Sequence, residues 1–81
     1  MFNLSFSEAL ELLKKGKKIE RSNWNGKGMF IFLVNDYSIG VDEFPDAYAY
    51  REFIAMKTVN NEIVPWVASQ TDILANDWRV I

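Results

Sequence analysis

The sequence contains no cysteine and no histidine. Without cysteine there is no disulfide to staple a small fold and no thiolate nucleophile, and the Cys and His sets of zinc sites are missing as well. Without histidine there is no imidazole general base and no Ser–His or Cys–His pair. A catalyst built from this chain would have to work with carboxylates, lysine or tyrosine. Long apolar runs are absent too. Nothing approaches the roughly 18 residues of a membrane span, and Met1-Phe2-Asn3 does not open a signal peptide. There is no basic excess either: 9 Lys and Arg stand against 11 Asp and Glu, for a net charge of −2. A nucleic-acid binder needs a strongly basic face, so that class is not expected. From these absences the expectation is a cytoplasmic protein with no metal, cofactor, membrane or nucleic-acid partner.

What the chain does have is apolar and aromatic material, 49% hydrophobic and 15% aromatic over 81 residues. That length suits a single domain spanning residues 1–81. A domain so small buries only about 60% of its unfolded surface, so its own core is marginal. With no cross-links available, a shared surface is the remaining way to cover this much apolar area, and an oligomer is expected.

Taken in order, Ser5-Phe6-Ser7-Glu8 fits a capping box. Phe6, Ala9, Leu10 and Leu13 then recur at helical spacing, and Gly16 stands where a left-handed cap belongs. These signals predict an amphipathic helix from about Phe6 to Lys15, covering a sheet. Lys17 to Ser22 reads as a strand with Ile19 inward. Asn25-Gly26 is a strong hairpin signal, because a type I′ turn needs positive φ at both centres. Met29 to Val34 is continuous apolar material, expected to be a strand buried on both faces.

Residues 36–52 scatter aromatics among Asp, Gly and Pro without a period, which predicts a long loop with a short strand or turn near Ser38–Val41. Phe53 to Thr58 and Ile63 to Val67 read as a hairpin joined by a tight turn, and Trp78 to Ile81 as a closing strand. The expected fold class is α+β: a small antiparallel sheet with an N-terminal amphipathic helix and a short C-terminal helix.

The most informative stretch is Pro65 to Trp78. Pro65 cannot donate to a central ladder, so it marks a strand end or edge. Ser69 or Thr71 can cap a short helix whose first turn carries Asp72. Free backbone N–H groups beside hydroxyls, with the Trp66 indole upstream, suit a polar, partly aromatic small molecule such as a nucleotide. The plain alternative is a strand-to-helix junction with core tryptophans. Trp24-Asn25-Gly26-Lys27-Gly28 is the second stretch. Its glycine spacing fits neither the Walker motif nor the dinucleotide fingerprint, and a strand follows it, so it is a hairpin turn. Trp24 and Lys27 at its mouth could still serve a ligand by stacking and by charge. The acidic pairs Asp42/Glu43 and Asp72/Asp77 are expected to be solvated.

Read together, Arg21-Ser22-Asn23-Trp24-Asn25-Gly26-Lys27-Gly28-Met29, Met56-Lys57-Thr58, Pro65-Trp66-Val67-Ala68-Ser69-Gln70-Thr71-Asp72-Ile73-Leu74-Ala75 and Asp77-Trp78 resemble the phage Thoeris anti-defence 2 family. The likeness also takes in Ala9 to Lys18 and leaves out residues 35–52. It implies a non-enzymatic homotetramer that acts as a sponge. Members of the family hold a glycocyclic ADP-ribose immune signal without degrading it, and some relatives also hold cyclic dinucleotides at a separate site. Carried over by position, Trp24 and Trp66 are the stacking candidates for adenine. Asn25, Ser69, Gln70 and Thr71 are candidates to bond phosphate and ribose. Asp72 is a candidate acceptor from ribose hydroxyls, and Arg21 or Lys27 would balance phosphate charge. Two other functions compete: a hydrolase of the nucleotide signal working through carboxylates, and a direct protein–protein inhibitor of a host defence protein.

Overall fold

The computed structural model describes residues 2–24, 27–35 and 51–81. In chain order it contains α1 (Phe6–Lys14), β1 (Ile19–Arg21), β2 (Phe30–Val34), β3 (Phe53–Lys57), β4 (Ile63–Pro65), α2 (Gln70–Leu74) and β5 (Trp78–Val80). The strands form one antiparallel sheet in the order β4-β3-β2-β1-β5. This is the expected α+β class.

The first helix starts where its capping box predicts. The Glu8 N–H donates to Ser5 Oγ at 3.3 Å and the Ser5 N–H donates to Glu8 Oε1 at 3.0 Å. It stops at a Schellman turn, with Gly16 at φ +89 and the Lys17 N–H bonded to the Leu12 carbonyl. Ala9 and Leu13 are fully buried on its inner side. They meet Ile19, Ile31 and Trp78, which the sheet presents from three strands on one face. Register places them there: Ile19 pairs with Ile31 on one side and Val80 on the other, while Arg21 pairs with Trp78.

Strand β5 lies at one edge of the sheet, where Leu4 continues the pairing through backbone bonds of 2.8 and 3.2 Å to Trp78. At the other edge β4 carries Pro65, a position where a missing N–H interrupts no central ladder. The β3–β4 turn is the expected tight one, with Asn61 at φ +63 and the Thr58 N–H bonded to the Glu62 carbonyl.

Several boundaries are shorter than the sequence suggests. The helix ends at Lys14 rather than Lys15, β1 keeps only Ile19–Arg21, and β4 stops at Pro65, although the Trp66 N–H still bonds Ile54. The strand expected to be buried on both faces is not. In β2 only Ile31 is fully buried, and Phe30, Phe32, Leu33 and Val34 are half-buried. The reason is that α1 packs on the Ile31 side. The other side carries Phe30 and Phe32, 5.8 Å apart, with the Lys18 ammonium 5.1 Å above the Phe30 ring. The Asn25-Gly26 hairpin signal and the loop reading of residues 36–50 lie outside the described residues. No helix among the described residues is long and apolar enough to cross a membrane.

Candidate functional site

Arg21 ends β1 on the core face, and two carboxylates converge on it. Its Nε donates to Asp77 Oδ1 at 2.8 Å and its Nη1 to Asp72 Oδ1 at 2.9 Å. The second oxygen of each acid is also engaged. Asp77 Oδ2 accepts from the Asn23 N–H at 3.0 Å and from Ser22 Oγ at 3.2 Å. Asp72 Oδ2 accepts from the Ser69 N–H at 3.1 Å. The three side chains are only 10% (Arg21), 14% (Asp72) and 25% (Asp77) exposed. Burial alone would raise both carboxyls. The bonds from Ser69 and Arg21 to Asp72, and from Arg21, Asn23 and Ser22 to Asp77, outweigh it and hold both below the ordinary carboxylate value. The expectation that Asp72 and Asp77 are solvated is therefore corrected: both are pinned in a partly buried network.

The Ser69–Asp72 turn is a second capping box. The Asp72 N–H donates to Ser69 Oγ at 3.0 Å while Asp72 answers through the Ser69 N–H. Ser69 is the cap rather than Thr71 because an acid stands three residues beyond it. Trp78 Nε1 donates to the Asp72 carbonyl at 3.0 Å, and Arg21 holds the same residue's side chain. The turn is thus fixed by strands β1 and β5. The Ser69 hydroxyl and the Asp72 carboxylate already serve the fold, while the exposed Gln70 and Thr71 side chains face solvent.

Both candidate stacking tryptophans pack edge-on against Trp78. Trp24 does so at 5.5 Å and 83°, and Trp66 at 6.1 Å and 89°. Trp66 is also 6.1 Å from Phe6 and packs partly into the core. Trp24 packs against the core in the same way and also lines a cleft of about 300 Å³. Arg21, Lys27, Glu20 and Arg79 line the same cleft, together with Gly28 and Met29. Gly28 is held at φ +80 by Lys57, whose Nζ donates to the Gly28 carbonyl at 2.9 Å.

Of the residues singled out from sequence, the cleft gathers Arg21, Trp24 and Lys27. Trp66 and the Ser69–Asp72 turn do not line it and are tied to it through Arg21 and Trp78. Asn25 lies outside the described residues. Glu20 and Arg79 were not anticipated. Their opposite charges were visible in the sequence, but only the β1–β5 register brings them face to face. No group of acids able to hold a metal ion occurs among the described residues.

Comparison with known proteins gives this geometry a family. The profile described as a Thoeris anti-defense 2-like domain matches residues 4–81. The chain belongs to the Thoeris anti-defence 2-like family. A protein of Bacillus phage SP01 named Thoeris anti-defense 2 is 44% identical over 84 residues, covering 96% of this chain and 94% of that protein. Membership places the chain among Thoeris anti-defence proteins. The family match spans both the Trp24 cleft and the Ser69–Asp72 turn.

Proposed function

We propose that the protein is a sponge. It binds a glycocyclic ADP-ribose immune signal in the cytoplasm of the infected host and holds it intact, so that the Thoeris effector is not activated. The observation that carries this is an indole and three cationic side chains lining one cleft in a member of an anti-defence family. Trp24 stacks the adenine and Lys27 meets phosphate. Gln70 and Thr71 bond ribose or phosphate from the neighbouring turn, whose shape Ser69 and Asp72 maintain, while Trp66 backs Trp78. A flat ring plus charge-assisted hydrogen bonds suffices for tight reversible binding.

The state of the acids supports binding over hydrolysis. A general base working near neutrality needs its pKa raised toward the operating pH. Asp72 and Asp77 are shifted the other way, and both oxygens of each are engaged. The deciding experiment incubates the protein with glycocyclic ADP-ribose, removes free ligand, heats the protein and identifies what is released. Intact ligand is expected. An altered product would establish the hydrolase instead, and no captured nucleotide would leave direct inhibition of a defence protein. In the same assay Trp24→Ala is expected to weaken retention by about 1–3 kcal/mol, the size of one base–aromatic stack.

The assembly proposed is a homotetramer. Val67 is 87% exposed and Leu74 75% exposed, with Val64 and Ile73 also open beside α2 and the β4 edge. A cleft of about 300 Å³ is at the small end for a nucleotide-sized ligand, which supports pockets completed by a second protomer. Cyclic dinucleotides at a separate site are a further proposed ligand class. Light scattering is expected to give the mass of four chains, and a monomer mass at micromolar concentration would overturn the assembly.

A further inference from the structure

Three cations line the Trp24 cleft, and they are not equivalent. Arg21 gives Nε and Nη1 to two carboxylates, and its side chain is 10% exposed. Its charge is matched and its geometry is committed to the fold. Lys27 is exposed, a point charge on a flexible stem. Arg79 is of a third kind. On β5 it stands directly opposite Glu20 of β1, and its Nε donates to Glu20 Oε2. Among the described residues that is the one bond its guanidinium makes, and its side chain remains 45% exposed at the cleft. A guanidinium is a rigid planar fork, so fixing Nε fixes the direction of its Nη donors. An exposed pair such as this adds little to stability. Its consequence is orientation: a fork whose Nε is fixed, at a cleft that Trp24 and Lys27 also line, suited to two oxygens of one phosphate.

We propose that Arg79, oriented by Glu20, is the phosphate-holding residue of the cleft, and that Arg21 is a positioning residue that does not meet the ligand. This rests on the nucleotide-binding function proposed above and names the group that recognises the anion. The ligand class is a nucleotide whose base lies on Trp24 while a phosphate or pyrophosphate reaches Arg79 and Lys27.

Titration calorimetry of the full chain with glycocyclic ADP-ribose tests it, using Arg79→Gln, Arg79→Lys and Glu20→Gln with a thermal melt of each. Arg79→Gln is expected to weaken binding about 10- to 100-fold, the effect of losing one or two charge-assisted bonds, while its melting temperature stays close to wild type. Arg79→Lys keeps the charge and loses the fork, so its affinity should fall between the two. Glu20→Gln keeps an acceptor but loses the charge that holds the fork, and should weaken binding less than Arg79→Gln. The affinity of Arg79→Gln should also depend less steeply on salt than that of wild type. If Arg79→Gln does not fold, Arg79→Lys decides alone, and wild-type affinity in it would refute a fork-specific contact. Wild-type binding together with an unchanged Arg79→Gln overturns this assignment and leaves the sponge standing. A wild-type protein that binds no ligand overturns both.

Discussion

Trp78→Ala is expected to leave the protein without a stable fold at room temperature. Trp78 is fully buried and is the largest side chain to be so. Its ring is in contact with Phe6 at 5.5 Å, Trp24 at 5.5 Å and Trp66 at 6.1 Å, and the Arg21 guanidinium lies 5.9 Å from it. Truncating a buried aromatic to alanine costs about 3–5 kcal/mol. Here the change also removes the Nε1 donor from the Asp72 carbonyl, a loss of about 1 kcal/mol or more. Against this, 81 residues correspond to a total stability of roughly 4–12 kcal/mol, and small domains lie toward the lower end. Trp78→Phe keeps a six-membered ring but loses the donor and leaves a small cavity at a fully buried site, so a deficit of about 2–3 kcal/mol is expected from that variant. Urea unfolding followed by circular dichroism would check both. A Trp78→Ala midpoint near wild type would mean that the aromatic cluster is not the keystone of the core.

Arg21→Met should be the next most damaging change, and its effect should depend on pH. Removing one partner of a buried ion pair costs about 3–5 kcal/mol because it strands the other charge. The acids here are 14% and 25% exposed, so water relieves part of that, and a loss of about 2–3 kcal/mol at neutral pH is expected. In the wild type, Asp72 and Asp77 titrate below their unfolded values. Their contribution is therefore complete above the ordinary carboxylate pKa, near 4, and is lost as pH falls through the depressed folded values. In Arg21→Met the guanidinium is gone while burial and the bonds from Ser69, Asn23 and Ser22 remain, so the same acids should be depressed less than in the wild type. Acid then costs the variant less stability than it costs the wild type. The stability gap should narrow steadily below about pH 4. Denaturant titrations of both proteins at neutral and acidic pH would test this. A gap that stays constant would show that the two carboxylates are not what Arg21 stabilises.

How much of this was legible beforehand depends on the range of each interaction. The Ser5–Glu8 box, a cap at Ser69 or Thr71, the Gly16 stop and the tight turn at Asn61 are local, with cause and effect within a few residues, and the sequence displays them directly. The edge position of β4 was readable from Pro65 for the same reason. What could not be read is the pairing of β1 with β5, which joins residues about sixty positions apart. That pairing decides the site. It puts Trp78 beside Arg21, delivers Asp77 to the Arg21 guanidinium, and places Arg79 across from Glu20. Without it, Arg21 read only as one of two candidates to balance phosphate charge, Asp77 read as a solvated acid, and Arg79 drew no reading of its own. The half-open outer side of β2 was hidden similarly, since an unbroken apolar run does not say how many faces will be covered.

The perpendicular stacking of Trp24 and Trp66 on Trp78 has an optical consequence. At centroid separations of 5.5 and 6.1 Å, excitation passes between indoles much faster than it is emitted. Light absorbed by any of the three is shared by all, and the coupled transitions of a fixed trio give a near-ultraviolet dichroism that isolated rings lack. Trp24, at the cleft, is the member of the trio that a stacked base would quench. The buried Trp78 would carry that quenching to Trp66, so a base stacked on Trp24 as proposed would be read in the tryptophan emission as a whole.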